Sequence, residues 1–277
     1  MLKQTLAVVK EVAPPSGVQV LASLSKGLNL LLKLREAKAP MSLSEISRAL
    51  GMNKVTALRV LVTLEKFHFV EKDPVQKTYQ IGSSAFYVGS GFISEGKQKR
   101  IFDVMRKLVS ELRHTVTLSV LDGSSVLFVE RVDGTERVKV TVNIGSRTPA
   151  YSSAAGKALL AGLRDGEIRK RLKNVRFERV LSKTRLRIED VLEDIRRVRM
   201  SGYATNNEES TEGLLAIAVP VTSPSGEHVA ALGAAFPVGI LKSKEEQRLV
   251  AKRLLKAAEE IEKLDIVSPS QITSIAV

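Results

Sequence analysis

Between Ser42 and Lys66 two short helical patterns follow each other with only a few residues between them, an arrangement that few folds tolerate. The first, Ser42-Leu43-Ser44-Glu45-Ile46-Ser47-Arg48-Ala49-Leu50-Gly51, has Ser44 as its expected N-cap and Gly51 as its left-handed stop. Asn53 then caps a helix predicted from Lys54 to about Lys66. Upstream, Leu24, Leu28, Leu31, Leu32 and Leu34 recur at helical spacing until Ala39-Pro40 ends the pattern. Downstream, Phe67–Glu71 and Thr78–Ile81 read as β runs around Lys72-Asp73-Pro74-Val75-Gln76-Lys77. Three helices, the last two joined by a tight turn, followed by a β-hairpin predict a winged helix-turn-helix.

With Leu58 at the centre of the buried face of the third helix, Leu61, Val62 and the stem of Glu65 share that face. Thr56, Arg59, Val60 and Thr63 then point outward, beside Ala57 and with Lys54 at the N-terminal tip. Arg59 can fork onto guanine O6 and N7, and Thr and Val methyls can pack on thymine. Ser42, Ser44, Asn53 and the amides of the second helix suit phosphate contacts, as do Lys72 and Lys77 on the hairpin. The competing reading is a polar face on an ordinary three-helix bundle.

Charge favours the polyanion. Of 277 residues 43 are Lys or Arg and 30 Asp or Glu, a net +13, and residues 1–90 hold 12 of the basic and 6 of the acidic side chains. Cys is absent, which removes disulfides, thiolate metal sites and Cys nucleophiles. His68, His114 and His228 show no paired ligand spacing, so neither a metal nor a cofactor is expected. No apolar run approaches the roughly 20 residues of a membrane span, and Met1–Val9 lacks a secretory apolar core; a cytoplasmic protein is expected.

Beyond the hairpin, residues 84–114 are helical and amphipathic, with Gly89 and Gly91 interrupting. β runs follow at Thr115–Leu121, Val126–Arg131 and Arg137–Val142, then helices over 153–163, 166–173 and 189–201. Two more β runs, 215–222 and 228–236, flank Ser223-Pro224-Ser225-Gly226, and a helix from about Ser243 to Leu264 closes the chain. The expected layout is α+β with two domains and an antiparallel sheet in the second. Its boundaries are an arm over 1–20, the winged domain over 21–83, a linker helix over 84–100, the second domain over 101–267 and a tail over 268–277.

The chain resembles the IclR family of bacterial and archaeal transcriptional regulators over about residues 20–265. The likeness rests on the run Leu43 to Leu61, on Pro149-Ala150-Tyr151-Ser152-Ser153-Ala154-Ala155-Gly156-Lys157-Ala158-Leu159-Leu160-Ala161, and on Gly202-Tyr203-Ala204-Thr205-Asn206-Asn207-Glu208-Glu209 with Glu212-Gly213 and Ala216–Val221 after it. It implies a linker helix to a GAF-like effector domain, and homodimers, often paired into tetramers, on pseudo-palindromic operators. It also implies a pocket for a small organic acid, assembled from Val140, Ala154, Ala155, Gly156, Asn206, Leu214, Ala216, Gly233 and Ala235. The first-turn amides at Ser153–Gly156 could hold a carboxylate, although a tight strand-to-helix turn accounts for that segment equally well. Asn206 stands where many members carry Asp, Ala216 at a frequent Cys position, and Gly233 and Ala235 where some place serines. A pocket so stripped of donors suits a larger, more apolar or aromatic ligand, or none.

Other functions fit less well. Lys157 invites comparison with a phosphate loop, but no Gly stands five residues before Gly156 and Ala158 replaces the needed hydroxyl. Ser152, Ser153, His114 and His228 form no Gly-x-Ser-x-Gly elbow, and the adjacent Glu208 and Glu209 would point to opposite faces of a strand, so no enzyme is expected. RNA binding would prefer more aromatics than 4%. An effector-independent architectural DNA binder is the alternative. Residues 164–187, with ten basic and three acidic side chains, read as a solvated surface or as a second contact to DNA or to another subunit. Repression and activation both remain open.

Overall fold

The computed structural model describes residues 19–37, 39–90, 95–136 and 142–264, and the chain divides into two compact units between Glu95 and Gly96. The expected tail, nearly all of the expected arm, and the β run at Arg137–Val142 except its last residue lie outside the described residues, as does Val140.

The first unit runs α1 (Ala22–Glu36), β1 (Met41–Ser42), α2 (Leu43–Ala49), α3 (Lys54–Lys66), β2 (Val70–Lys72), β3 (Thr78–Ile81) and α4 (Ser83–Ser90). Its antiparallel sheet has the order β1-β3-β2, with Met41 opposite Tyr79 and Lys72 opposite the same residue on the other side. β1 was not expected, because two residues are too few to show an alternation. The N-cap of α2 is Ser42 rather than Ser44. Ser42 Oγ accepts the N–H of Glu45 while the Glu45 carboxylate accepts the N–H of Ser42 at 2.7 Å. Only from Ser42 does an acid stand three residues on, so only Ser42 closes the reciprocal box. Gly51, at φ +62°, ends the helix as expected. Leu30, Leu34, Ile46, Leu61, Val70 and Tyr79 form the core.

The second unit holds α5 (Glu95–Leu112), β4 (Thr115–Asp122), β5 (Ser125–Val132), β6 (Arg147–Pro149), α6 (Ala154–Leu160), α7 (Asp165–Leu172), α8 (Ile188–Ser201), β7 (Ala204–Asn207), β8 (Leu214–Thr222), β9 (His228–Pro237) and α9 (Lys244–Glu262). Its antiparallel sheet has the order β6-β5-β4-β9-β8-β7. The expected linker helix is thus represented by α4 and the start of α5. The β4–β9 pair joins the early strands to the late ones, Thr115 facing Ala235 and Ser119 facing Ala231. Along β8, Ala216 and Ala218 pack into a cluster with α6 and α8, where Ala158, Leu159, Leu192 and Ile195 are buried. Strand alternation turns Leu215, Ile217, Val219 and Val221 to the opposite face, and α9 packs on β8 with Val250, Leu254 and Ile261 buried. Helices thus pack on both faces of this sheet, α6 and α8 on one and α9 on the other.

Candidate nucleic-acid interface and effector cavity

The turn between α2 and α3 is fixed from inside. Ser47 Oγ donates to the Met52 carbonyl, and the Met52 N–H donates to the Ser47 carbonyl at 3.0 Å. Asn53 Oδ1 accepts the N–H of Thr56 at 2.8 Å, which starts α3 where the sequence places it. The face of α3 differs from expectation. Ala57 and Leu61 are fully buried and Val60 and Leu64 pack on the core, whereas Val55, Leu58 and Val62 are 69%, 41% and 55% exposed. Val60 Cγ1 lies 4.0 Å from where a Cβ on Gly27 would sit, so Val60 faces α1. Ala57 and Val60 therefore belong to the core and not to an outward face, and Thr56 is half-buried. The helix is rotated because Ala57, where small volume is needed, lets α3 approach closely, and Leu61 and Leu64 complete that stripe.

Lys54, Arg59 and Thr63 remain exposed, and neither cation makes an ion pair or hydrogen bond through its head group among the described residues. Thr63 Oγ1 donates back to the Arg59 carbonyl at 2.8 Å. Ser44 is exposed, but the Ser42 hydroxyl is spent on Glu45 at 2.7 Å and is not free for a phosphate. The Ser42 N–H holds the Glu45 carboxyl below its ordinary range, with help from the hydroxyl. On the hairpin, Asp73 Oδ1 accepts the N–H groups of Val75 and Gln76, at 2.8 and 2.9 Å, which shapes a rigid tip. Lys77 sits in the left-handed region at φ +54°, and Lys72 Nζ lies 5.8 Å from the Tyr79 ring.

In the second unit a cavity of about 280 Å³ is lined by Ala154, Ala155, Asn206, Leu214, Ala216, Gly233 and Ala235, seven of the nine residues expected there. Gly156 is not among them. A Cβ on Gly156 would lie 2.2 Å from the Ala150 carbonyl oxygen, so this glycine exists for the close packing of α6 on the turn before it. Its N–H is also taken, by Ser153 Oγ at 3.1 Å. The expectation of a donor-poor site is corrected as well. Thr117, Ser146, Thr148, Ser210 and Thr211 add hydroxyl-bearing residues to the wall, and Arg147 also lines it while its Nε is held 2.6 Å from Asp122 Oδ2. These groups lie on β4, on β6 with the turn before it, and on the 208–213 loop. No family motif carries most of them, and β6 and β7 are too short to be legible.

Asn206 serves the wall more than the cavity. Its Nδ2 donates to the Ser152 carbonyl at 2.7 Å and to Ser210 Oγ at 2.9 Å, and its Oδ1 accepts the N–H of Glu209 at 3.0 Å. Behind this loop, Lys157 is buried, with Nζ at 2.6 and 2.7 Å from the Glu209 carboxylate and 3.0 Å from Asp194. Arg185 grips Asp194 through two nitrogens at 2.9 and 3.0 Å. Burial pushes the Glu209 carboxyl up, against the pull of Lys157. Burial also works to raise Asp194, but Arg185 and Lys157 outweigh it and hold that carboxyl below its usual range.

The basic stretch is largely neutralised. Arg164, Arg169, Arg176, Lys183, Arg185 and Arg187 pair with carboxylates, and Arg171 donates to the Gly123 carbonyl at 2.8 Å. The histidines and serines form no couple either: His228 Nδ1 lies 2.8 Å from the Ala158 carbonyl, the His114 ring meets the Phe236 ring tilted at 54° with centroids 4.7 Å apart, and Ser153 caps α6.

Two family descriptions match the chain. The IclR helix-turn-helix domain covers residues 23–74, and the bacterial transcriptional regulator IclR C-terminal domain covers residues 98–263. The chain belongs to the IclR family of transcriptional regulators. It is 32% identical over 216 residues to the HTH-type transcriptional regulator BhcR of Paracoccus denitrificans, spanning 78% of this chain and 77% of that one. Over 231 residues it is 30% identical to the HTH-type transcriptional regulator KdgR of Escherichia coli, covering 83% and 88% of the two chains. The crystal structure of an IclR homolog complexed with 4-hydroxybenzoate, from Microbacterium hydrocarbonoxydans, superposes with a TM-score of 0.78 at 22% identity, over 89% of this chain and 100% of that one, a likeness of fold. This IclR member is a DNA-binding regulator with an effector-type second domain and not an enzyme, and none of its described helices is long and apolar enough to cross a membrane.

Proposed function

We propose that this regulator grips a pseudo-palindromic operator in the cytoplasm as a homodimer, laying one α3 in each of two successive major grooves about 34 Å apart. The observation that carries the reading is the solvent face of α3, where Lys54 and Arg59 stand without carboxylate partners among the described residues. Arg59 reads a guanine; Lys54, Ser44, Lys72 and Lys77 hold phosphates; Thr63 and the rim of Thr56 flank the bases, and Asn53 fixes the helix start. Ser42, Ala57 and Val60 drop out of the contact set because cap and core have used their groups. A second copy of the chain covers the exposed Leu21 at the cap of α1, the stripe Leu24, Leu28 and Leu32 on α1, and the exposed Phe86, Tyr87 and Val88 on α4, and dimers pair into tetramers.

The input is a small organic acid or aromatic molecule in the second-unit cavity, whose size matches a small ligand. Leu214, Ala216, Ala235 and Phe128 supply apolar walls, and Thr117, Thr148, Ser210 and Thr211 supply the polar part. The 4-hydroxybenzoate held by the Microbacterium relative supports this class. Ligand binding favours one conformation, and operator affinity changes by the ligand's differential affinity for the two states. The test is binding of the full chain to DNA upstream of its own gene at fixed salt, with and without a panel of aromatic and aliphatic acids that includes 4-hydroxybenzoate. A sequence-specific shift altered by one compound supports the reading. Specific binding that no acid alters returns the protein to the class of effector-independent architectural binders.

A further inference from the structure

α3 carries two apolar stripes. Ala57, Val60, Leu61 and Leu64 turn inward, while Val55, Leu58 and Val62, at spacing i, i+3 and i+7, are left in solvent with Arg59 at i+4 on the same face. An aliphatic stripe at this spacing is ordinarily the one that packs. Charge decides what covers it here. Lys54 opens the face, Arg59 stands within it and Lys66 closes it, while the one acid of the helix, Glu65, is half-buried in the last turn. A second copy meeting this face would set like cations against each other, since a two-fold interface apposes the same patch. A nucleic-acid duplex pairs the cations with phosphates, and the apolar group its major groove offers is the thymine C5 methyl.

We infer that Val55 and Val62 are specificity-determining residues that read thymine methyls on either side of the guanine held by Arg59, with Leu58 closing the contact from the flank. The inference rests on the operator-binding reading above. Along the helix axis, Val55 lies about 6 Å and Val62 about 4.5 Å from Arg59, at 1.5 Å per residue. With base pairs about 3.4 Å apart, the thymines fall within two base pairs of that guanine.

The experiment selects a binding sequence for the full chain from randomised duplex DNA, then replaces each thymine singly by deoxyuridine, which lacks only the methyl. At one or two positions per half-site near the preferred guanine, uracil should weaken binding about fourfold, the worth of one buried methyl. In Val55→Ala or Val62→Ala the thymine and uracil duplexes should bind alike at the matching position. Both side chains are exposed, so these variants keep the fold. Uracil tolerated at every position would overturn the inference, as would Ala variants that retain the full uracil penalty. Ala variants that lose self-association and keep the penalty would assign the stripe to a contact between copies and overturn it too. A chain that selects no sequence would overturn the operator reading beneath it, which separates the two failures.

Discussion

Lys157→Met tests the charged clamp behind the cavity wall. The Lys157 side chain is 3% exposed and places its ammonium 2.6 and 2.7 Å from the two oxygens of Glu209. Removing it leaves Asp194 gripped by Arg185 at 2.9 Å, but takes from Glu209 the only cation within salt-bridge distance among the described residues. Stripping one partner from a buried pair costs roughly 3–5 kcal/mol, and here the loss falls chiefly on Glu209, because Asp194 also loses Lys157 but keeps Arg185. Lys157→Met should therefore lower second-domain stability by about that amount at pH 8, read by urea denaturation followed by circular dichroism. Adding Glu209→Gln should recover most of it, because the uncompensated charge is then gone. The pH dependence has a definite sign. Burial already holds the Glu209 carboxyl above its ordinary pKa, and loss of Lys157 raises it further. An acid with a raised folded pKa destabilises most when ionised, so the deficit of the variant should shrink as pH falls through that raised value. A deficit below about 1 kcal/mol that does not change with pH would refute the reasoning, by showing that Glu209 escapes to solvent.

Other outcomes follow from the same contacts. Ser42→Ala should lower first-domain stability by about 0.5–2 kcal/mol in thermal denaturation while Ser44→Ala leaves it nearly unchanged, and the reverse order would restore Ser44 as the cap. Arg59→Ala should weaken specific operator binding by roughly 1–3 kcal/mol and relax preference at one base pair in a binding titration; an equal loss on all sequences would make Arg59 a phosphate contact. Ala216→Asp places a charge on the cavity wall, and should abolish the effector response in the same titration while sparing DNA affinity; an unchanged response would move the effector site elsewhere.

Most of the secondary structure was legible because each long element carries its own signal. α3 begins after Asn53, the cap that the sequence singles out, and α9 begins after Ser243, where its pattern was expected to start. β4, β5, β8 and β9 are runs of eight or more residues rich in apolar side chains and match the expected runs closely. β1, β6 and β7 have only two to four residues, too few to show a pattern, and β1 pairs with a strand far along the chain, Met41 opposite Tyr79. The cavity wall was legible in part for the same reason. Ala154, Ala155 and Ala216 lie within motifs, whereas Thr117, Ser146 and Arg147 reach the cavity only because β4, β5 and β6 pair side by side.

Sequence alone determined that α3 is a capped helix following a tight turn, that a β-hairpin comes after it, and that the chain belongs with sensor-coupled DNA binders. These properties reside in caps, periodicities and short motifs, all set by neighbours along the chain. Which side of α3 meets DNA was decided only by tertiary structure. Val55, Leu58 and Val62 on one stripe and Ala57, Leu61 and Leu64 on the other are both apolar, so periodicity is satisfied either way. The small Ala57 and the Val60–Gly27 contact let one stripe pack closely on α1 and the hairpin, and the other, with Arg59, was left to face outward.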